Sequence, residues 1–243
     1  MGGTWHALYA GELQSLWALV AAPALFLVWL ALRGRALAAR DADPRSAFVL
    51  AWSAAFACQT ILDPVATGPL ARALALGPGA ATAVMLTFVL LGDWRVWLLV
   101  AALALGRART RAAFAASALA TPVVPLLAYG TDALLRLRWP DLPGQVLLLV
   151  YETAFAALAL WVRARGLARL APAADARALA CARTVLAYAA TYYLLWATAD
   201  LLILAGHDAG WALRVLPNQL YYAFCVPFAF WAWFGRAPRP PGR

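Results

Sequence analysis

The sequence contains no lysine, and all 20 of its basic residues are arginines. A Schiff-base enzyme or a retinal-binding rhodopsin needs a lysine amine, so both classes are excluded. Charge of either sign is scarce, because only 13% of the 243 residues are charged, against about 25% in an ordinary soluble domain.

Histidine and cysteine are also scarce. The three cysteines, Cys58, Cys181 and Cys225, lie far apart in apolar segments without CxxC spacing, and His6 and His207 each stand alone. The motifs HExxH, GxSxG, GxxxxGK[ST] and GxGxxG and the paired-aspartate metal motif are absent. We therefore expect no metal and no cofactor, so carboxylates, phenols, amides or arginine would carry any catalysis.

Apolar residues dominate what is present. They make up 65% of the chain, too many for one soluble core, and about 20 of them form one membrane span. Apolar runs occur at Leu13–Leu32, Ser46–Leu62, Ala80–Leu105, Ala112–Tyr129, Gly144–Val162, Thr184–Ala205 and Ala212–Phe234. The sequence predicts an all-α integral membrane protein, a single seven-helix bundle at 1–235 followed by a short basic tail at 236–243. No basic residue precedes the first run, so we expect it to remain as a helix rather than act as a cleaved signal peptide.

The arginines predict the orientation of the bundle. Alternate connections and the tail hold 15 of the 20 arginines, at Arg33, Arg35, Arg40, Arg45, Arg107, Arg109, Arg111, Arg163, Arg165, Arg169, Arg177, Arg183, Arg236, Arg239 and Arg243. The opposite side holds four: Arg72, Arg136, Arg138 and Arg214. By the positive-inside rule, the N-terminus is outside and the C-terminus cytoplasmic.

The basic residues form short clusters next to the predicted helix ends, where they would contact anionic lipid, so we expect the bilayer to be the partner. We do not expect nucleic-acid binding, which would need an exposed basic groove. The use of arginine alone in an alanine-rich chain suggests a GC-rich bacterial genome. We therefore expect the inner membrane of a bacterium. The oligomeric state does not follow from the sequence.

An internal repeat is a further hypothesis. The loop that begins at Arg33, RGRALA, resembles the loop that begins at Arg163, RARGLA. Each loop precedes a helix whose far end carries an aspartate, at Asp63 and at Asp200. This pattern would give a 3+1+3 arrangement of parallel repeats about an axis along the membrane normal; chance matches in an Ala-, Leu- and Arg-rich chain are the alternative.

Ionisable residues inside the apolar runs are the strongest candidates for a site, because a charge at mid-helix costs roughly 2.5 to 3.5 kcal/mol on insertion scales. The third run carries Asp93 and Arg95, and the fifth carries Tyr151 and Glu152 at a similar depth. An ion pair between Arg95 and Glu152 is the simplest pairing. Asp93 and Glu152 are the candidate catalytic acids, and helix clamping by polar groups is the structural alternative.

Other polar residues extend this candidate site. They lie on the sixth and seventh helices or near the outer ends of the second and sixth. They are Thr191, Tyr193, Asn218, Gln219, Tyr222, Gln59, Asp63 and Asp200. Asp63 and Asp200 would flank an outer mouth, or would be ordinary solvated acids.

Three functions fit these features. The first is a multi-pass protein whose midplane polar site binds or transports a small molecule or protons. The second is an intramembrane enzyme in which a buried carboxylic acid protonates an apolar substrate while aromatic faces stabilise a cation. The third is a structural membrane subunit.

Two families resemble the chain in outline. The 3+1+3 layout is similar to the small sugar transporters of that arrangement, but their Pro-Gln signature is absent from helices one and five. The size, helix count and acid-plus-aromatic inventory are similar to the integral-membrane terpene cyclases, which implies an isoprenoid-like substrate. Those enzymes carry a Trp-Glu pair on the second helix, where this chain has Gln59 to Asp63, and an acid on the last helix, where it has Asn218-Gln219.

Overall fold

The computed structural model describes residues 3–13, 16–41, 43–106, 110–170 and 175–235. Over these ranges the chain is about 90% helical and has no strand, so the all-α class is confirmed. Arg107, Arg109 and the predicted basic tail at 236–243, with Arg236, Arg239 and Arg243, lie outside the described residues.

Six helices in this part of the chain are long and apolar enough to cross a membrane, which supports a multi-pass membrane protein. They are α1 (Ala18–Leu37), α2 (Arg45–Ala73), α3 (Pro78–Leu105), α4 (Arg111–Arg138), α5 (Gly144–Arg169) and α6 (Ala176–Leu204). The seventh predicted run is also helical and is called α7 here. It consists of the consecutive segments Ala209–Gln219, Leu220–Phe224 and Cys225–Phe234. It is not among the six, so a seventh crossing stays a prediction.

Local sequence sets where these helices begin and end. Pro78 opens α3 directly after Gly77, where a missing N–H costs nothing. Gly106 ends α3 at φ 74°, and Gly206 follows α6 at φ 82°, backbone conformations that glycine adopts without strain. The side chain of Asp175 caps α6 by accepting a hydrogen bond from the Arg177 N–H at 2.6 Å.

The core lies around α6, which packs against α5, α7 and α3. Its buried face is mostly small, with Ala178, Cys181, Ala182 and Ala189 among the fully covered residues. Small residues let helix backbones approach closely, and dispersion then replaces the hydrophobic effect, which is weak between helices in lipid. Residues from α5 and α7 complete this core, including Phe155, Ala156, Ala159, Phe230 and Trp233.

A break divides α4 into two parts. The helix Thr110–Ala120 stops at Thr121-Pro122, and a second helix runs over Val123–Arg138. Pro122 and Pro125 cannot donate backbone hydrogen bonds, so the helix ladder is interrupted there. The first part packs on α3, whereas the second packs mainly on α5. The break therefore separates the second half of α4 from α3.

The α3 helix reflects this separation. Its first half, from Pro78 to Leu91, has no buried residue, whereas the second half is mostly buried from Gly92 to Leu103. We call the half of the bundle that carries the α2–α3 connection the outer half, following the predicted orientation. In the outer half, α3 stands away from α4.

At the opposite, inner end, ion pairs join three parts of the chain. Arg177 donates to both carboxylate oxygens of Asp41, with distances of 3.0 and 2.5 Å, and to the Trp233 carbonyl at 3.0 Å. Its guanidinium lies over the Trp233 ring at 4.0 Å. Arg45 contacts Asp43 at 2.7 Å and also pairs with Asp175. This inner network fastens the α1–α2 connection to the start of α6 and the end of α7.

The inner network lowers the pKa of its carboxyls. The hydrogen bonds from Arg177 are the largest cause of a pKa of about 2 for Asp41. Burial raises the pKa of Asp43, but the hydrogen bonds from Arg45 outweigh it and the net shift is downward. The Arg177 backbone N–H lowers the pKa of Asp175. All three groups are therefore held in their charged form.

Candidate intramembrane pocket

A pocket of about 580 Å³ lies in the outer half between α2, α3, α4, α5, α6 and α7. Its volume falls within the range of ordinary small-molecule sites, about 300 to 1,000 Å³. One wall is apolar and consists of Met85, Leu86, Val89, Leu90, Pro122, Pro125, Leu126, Tyr129, Leu147 and Leu148. The other is polar and aromatic and consists of Asp63, Thr67, Tyr151, Glu152, Tyr193, Trp196, Arg214, Tyr221 and Tyr222.

The pocket has exposed apolar rims on α3 and α4. Residues on both rims are exposed at the side of the bundle: Met85 on α3 is 46% exposed, and Leu126 on α4 is 71% exposed. These apolar rims would face lipid tails if the helices cross a membrane. An apolar molecule could then enter without first passing through water.

Asp93 lies behind the polar wall rather than in it. It is 1% exposed. The Tyr193 hydroxyl donates to its Oδ1 at 2.5 Å, and the Tyr151 hydroxyl donates to its Oδ2. Both tyrosines line the pocket, so Asp93 fixes two phenols whose rings form the pocket wall.

The predicted ion pair between Arg95 and Glu152 is wrong. Arg95 is fully buried and donates to the Thr60 hydroxyl at 3.1 Å and to the Tyr221 carbonyl at 2.9 Å. Its guanidinium stacks on the Tyr221 ring at 3.9 Å. Equal depth on two helices does not fix their rotation, and Arg95 points toward α2 and α7 instead of α5.

Glu152 instead faces α6 and α7. Its Oε1 lies 4.0 Å from Nη2 of Arg214, and its buried Oε2 has no hydrogen-bond partner among the described residues. The same guanidinium forms a much closer ion pair with Asp200, which is fully buried. The two carboxyls thus share one arginine, and their side chains also contact each other.

Asp63 is the second carboxyl in the pocket wall. It is 5% exposed, and the Tyr222 hydroxyl contacts its side chain. The Thr67 hydroxyl donates to its backbone carbonyl at 2.7 Å. Asp63 therefore lies inside the bundle, which contradicts the alternative of an ordinary solvated acid. Asp200 contradicts that alternative in the same way.

Asn218 and Gln219 join the pocket wall to the N-terminal part of the chain. The Asn218 carbonyl accepts from the Trp196 indole at 2.7 Å, and its amide donates to the Tyr9 hydroxyl at 3.0 Å. Gln219 donates to the Ala18 carbonyl at 3.1 Å. Asn218 therefore positions Trp196, whereas Gln219 fixes α7 on α1.

Two predicted site residues lie elsewhere. Thr191 is exposed on α6 and donates to the Ala187 carbonyl of its own helix. Gln59 is buried but does not line the pocket, and both of its amide atoms lack a partner in the described part of the chain.

Three residues of the pocket wall differ from the predicted site: Arg214, which the arginine distribution predicts on the outer aqueous side, and Trp196 and Tyr221, which are not among the predicted site residues. A helical spacing of four residues separates Arg214 from Asn218 and Asn218 from Tyr222, and the same spacing separates Trp196 from Asp200. Residues four apart share one helix face. This spacing could have identified all of them except Tyr221.

A second, smaller cavity of about 350 Å³ lies on the other side of the α4 break, between α3, α4 and α5. It is lined by apolar residues and Ser117, among them Trp97, Ala104 and Trp161. No group of three or more His, Cys, Asp or Glu residues in the described ranges is placed to hold a metal ion.

The arrangement therefore offers buried carboxyls, phenols and one arginine beside an apolar cavity. In comparisons with known proteins, no protein-family profile, curated protein or solved structure matches the chain.

Proposed function

We propose that the protein is an intramembrane enzyme that protonates an apolar, isoprenoid- or lipid-like substrate. The observation that carries the proposal is the pocket itself, which has exposed apolar rims on α3 and α4 and holds Glu152 and Asp63 beside aromatic rings. A transporter of a polar solute would instead need a water-filled opening toward one face of the bundle.

The chemistry requires no oxidant or reductant. The Glu152 carboxyl gives its proton to a carbon–carbon double bond, so a C–H bond forms, the π bond breaks and a carbocation results. The Asp63 carboxylate then removes a proton from a neighbouring carbon, which forms a new double bond. The net reaction is an isomerisation or a ring closure. The starting protonation states of the two carboxyls are restored when Asp63 releases its proton to solvent and Glu152 takes one up.

Aromatic faces can stabilise the positive charge. Trp196 and Tyr222 line the pocket and are suited to this role. Tyr221 is less suited, because the Arg95 guanidinium already lies over its ring at 3.9 Å. Asp93 supports the same wall through Tyr151 and Tyr193.

The charges in the pocket wall favour an uncharged substrate. The wall holds two carboxyls and one guanidinium, and Asp200 already pairs with that guanidinium. A phosphate or diphosphate would need several free cations. We therefore expect an alkene or epoxide chain with a neutral head rather than a phosphorylated one.

The test uses purified protein in lipid nanodiscs with a panel of neutral polyprenyl alkenes and epoxides in D₂O. Mass spectrometry should detect one solvent deuteron in a rearranged product. Glu152→Gln should lower the rate about 10²- to 10⁴-fold, as expected for loss of a general acid. The matched control is Asp132→Asn, which alters a carboxyl paired with Arg136 outside the pocket. No labelled product from any substrate, or equal rates in Glu152→Gln and wild type, would contradict the proposal.

Proton or small-molecule transport is the second candidate. It is favoured by the number of buried carboxyls in one half of the bundle, at Asp63, Asp93, Glu152 and Asp200. Proteoliposomes with an internal pH dye would test it. Proton uptake that depends on Asp63 and Glu152 without any substrate would favour transport over the enzyme.

We further propose seven crossings with the N-terminus outside, in a bacterial inner membrane. The arginine distribution supports this orientation, and α7 packs against α6 along the bundle. Reporter fusions should place His207 outside and Arg169 in the cytoplasm. Arg169 outside would overturn the orientation.

A further inference from the structure

The three ionisable groups at the polar end of the pocket are arranged unequally. The Arg214 guanidinium lies 2.5 Å from Asp200 Oδ1 through Nη1, but 4.0 Å from Glu152 Oε1 through Nη2. Asp200 has no exposed surface, whereas Glu152 is 4% exposed and lines the pocket. The arginine also lines the pocket, but its guanidinium lies closer to Asp200 than to Glu152.

The charge of this group decides where a proton resides. One guanidinium and two carboxylates have a net charge of −1, and the three groups are neutral only when one carboxyl carries a proton. An unpaired charge buried in an apolar setting is costly, so the neutral arrangement is favoured. The carboxyl that lacks the close contact with the arginine is Glu152, and its Oε2 has no hydrogen-bond partner among the described residues.

We propose that Asp200 is a positioning residue that holds Arg214 away from Glu152 and so keeps the Glu152 proton available to a substrate. This inference rests on the proposed function for its purpose, but the arrangement of charge can be tested without a substrate. Asp200 does not line the cavity, so it would act on the Glu152 proton from behind the wall, through Arg214 and through its own side-chain contact with Glu152.

The proposal predicts an unusual result for Asp200→Asn. The substitution removes the partner of Arg214 but leaves Glu152 and the pocket wall in place. Arg214 can then complete its pair with Glu152, because only 4.0 Å separates them. Glu152 should lose its proton to this pair, so a change at a residue outside the pocket should inactivate the acid inside it.

Infrared spectroscopy of the protein in nanodiscs measures this directly, because a protonated carboxyl has a C=O stretch that a carboxylate lacks and that shifts in D₂O. At neutral pH, the wild-type band should disappear in Glu152→Gln and in Asp200→Asn and should persist in Asp132→Asn. A wild-type band unchanged in Glu152→Gln, or a Glu152 band that persists in Asp200→Asn, would overturn the proposal.

A second variant covers the case in which Asp200→Asn does not fold. Arg214→Gln removes the only arginine within 4.0 Å of either carboxyl in the described residues. The protonated C=O signal should then increase, because Asp200 also becomes neutral. A decrease would contradict the assigned roles. If the bands behave as expected but no deuterium enters any substrate, the proposed enzyme fails while the role of Asp200 stands.

Discussion

The two charged regions of the molecule differ in how completely their charged groups are paired. In the inner network, each of Asp41, Asp43 and Asp175 contacts an arginine directly. In the outer half, Asp93 is held by two phenols, and Glu152 keeps one oxygen without a partner among the described residues. Arg95, although fully buried, has no carboxylate within 4.0 Å in the same part of the chain.

This difference indicates different roles. The inner groups lie at the helix ends, where each carboxyl has an arginine partner and the pairs fasten the connections. The outer groups lie inside the bundle, where an incompletely paired charge is expensive. A sequence that needed only to hold helices together could use threonine or serine there. We therefore interpret the inner network as structural and the pocket groups as functional, and three measurements test this division.

The largest effect should come from the inner network. Arg177→Ala removes both hydrogen bonds to Asp41, the bond to the Trp233 carbonyl and the contact with the Trp233 ring. Loss of one partner from a largely buried pair lowers the free energy of unfolding by about 3 to 5 kcal/mol. Unfolding in detergent should show this loss.

The control for this change is Arg183→Ala, which removes an exposed arginine from the same helix. It should alter the free energy of unfolding by less than about 0.5 kcal/mol. Equal effects of the two substitutions would show that the inner network does not fasten the bundle.

A smaller effect is expected at Asp93. An asparagine keeps one carbonyl acceptor for Tyr151 or Tyr193 but presents an N–H₂ group to the other hydroxyl. One buried hydrogen bond is lost, at a cost of about 1 to 3 kcal/mol. Asp93→Asn should also reduce catalysis less than Glu152→Gln does, because Asp93 lies behind the pocket wall.

A double substitution sharpens this result. Tyr193→Phe removes the hydroxyl that donates to Asp93 Oδ1, so Asp93→Asn combined with Tyr193→Phe should cost less than the sum of the two single changes. Strict additivity in the free energies of unfolding would show that the two residues are not coupled.

The smallest effect concerns pH. The pKa of Asp41 is lowered from 3.8 to about 2, so its ion pair contributes stability above pH 3.8 that is lost as the pH falls toward 2. This contribution is at most about 2 kcal/mol. Unfolding measured from pH 5 to pH 2 should show a shallower acid slope in Asp41→Asn than in wild type. An acid slope that is identical in Asp41→Asn and in wild type would contradict this prediction.

Much of the helical framework could be predicted from the sequence, because an apolar run of sufficient length has few alternatives to a helix in lipid. The start of α5 at Gly144 and the end of α3 at Leu105 agree with the structure. The break in α4 was not predicted, although Pro122 and Pro125 are its cause. The local composition around them is still apolar enough for one continuous span.

The partners of the buried charges could not be predicted in the same way. The depth of a residue follows from its position in an apolar run. The direction it faces depends on how neighbouring helices pack, and residues two positions apart on one helix face directions that differ by about 200°. Arg95 and Glu152 share a depth and still face different neighbours. Counting the arginines on each side of the bundle treats every arginine as a surface charge, so it places Arg214 wrongly. The spacing of four residues between Arg214 and Asn218 instead places Arg214 on the buried stripe of α7.

The α4 break has a mechanical consequence. Beyond Pro122, the segment Val123–Arg138 is fastened mainly to α5 and presents exposed apolar side chains, with Leu134 at 70% and Leu137 at 83% exposure. In a membrane, this segment would be held at one end and would contact lipid acyl chains. Its tilt would depend on the length and order of those chains, because helices accommodate hydrophobic mismatch by tilting at a modest cost. If the proposed enzyme takes its substrate from the membrane, the distance between the pocket rims on α3 and α4 would depend partly on the bilayer, and we expect the reaction rate to change with bilayer thickness even when no residue is altered.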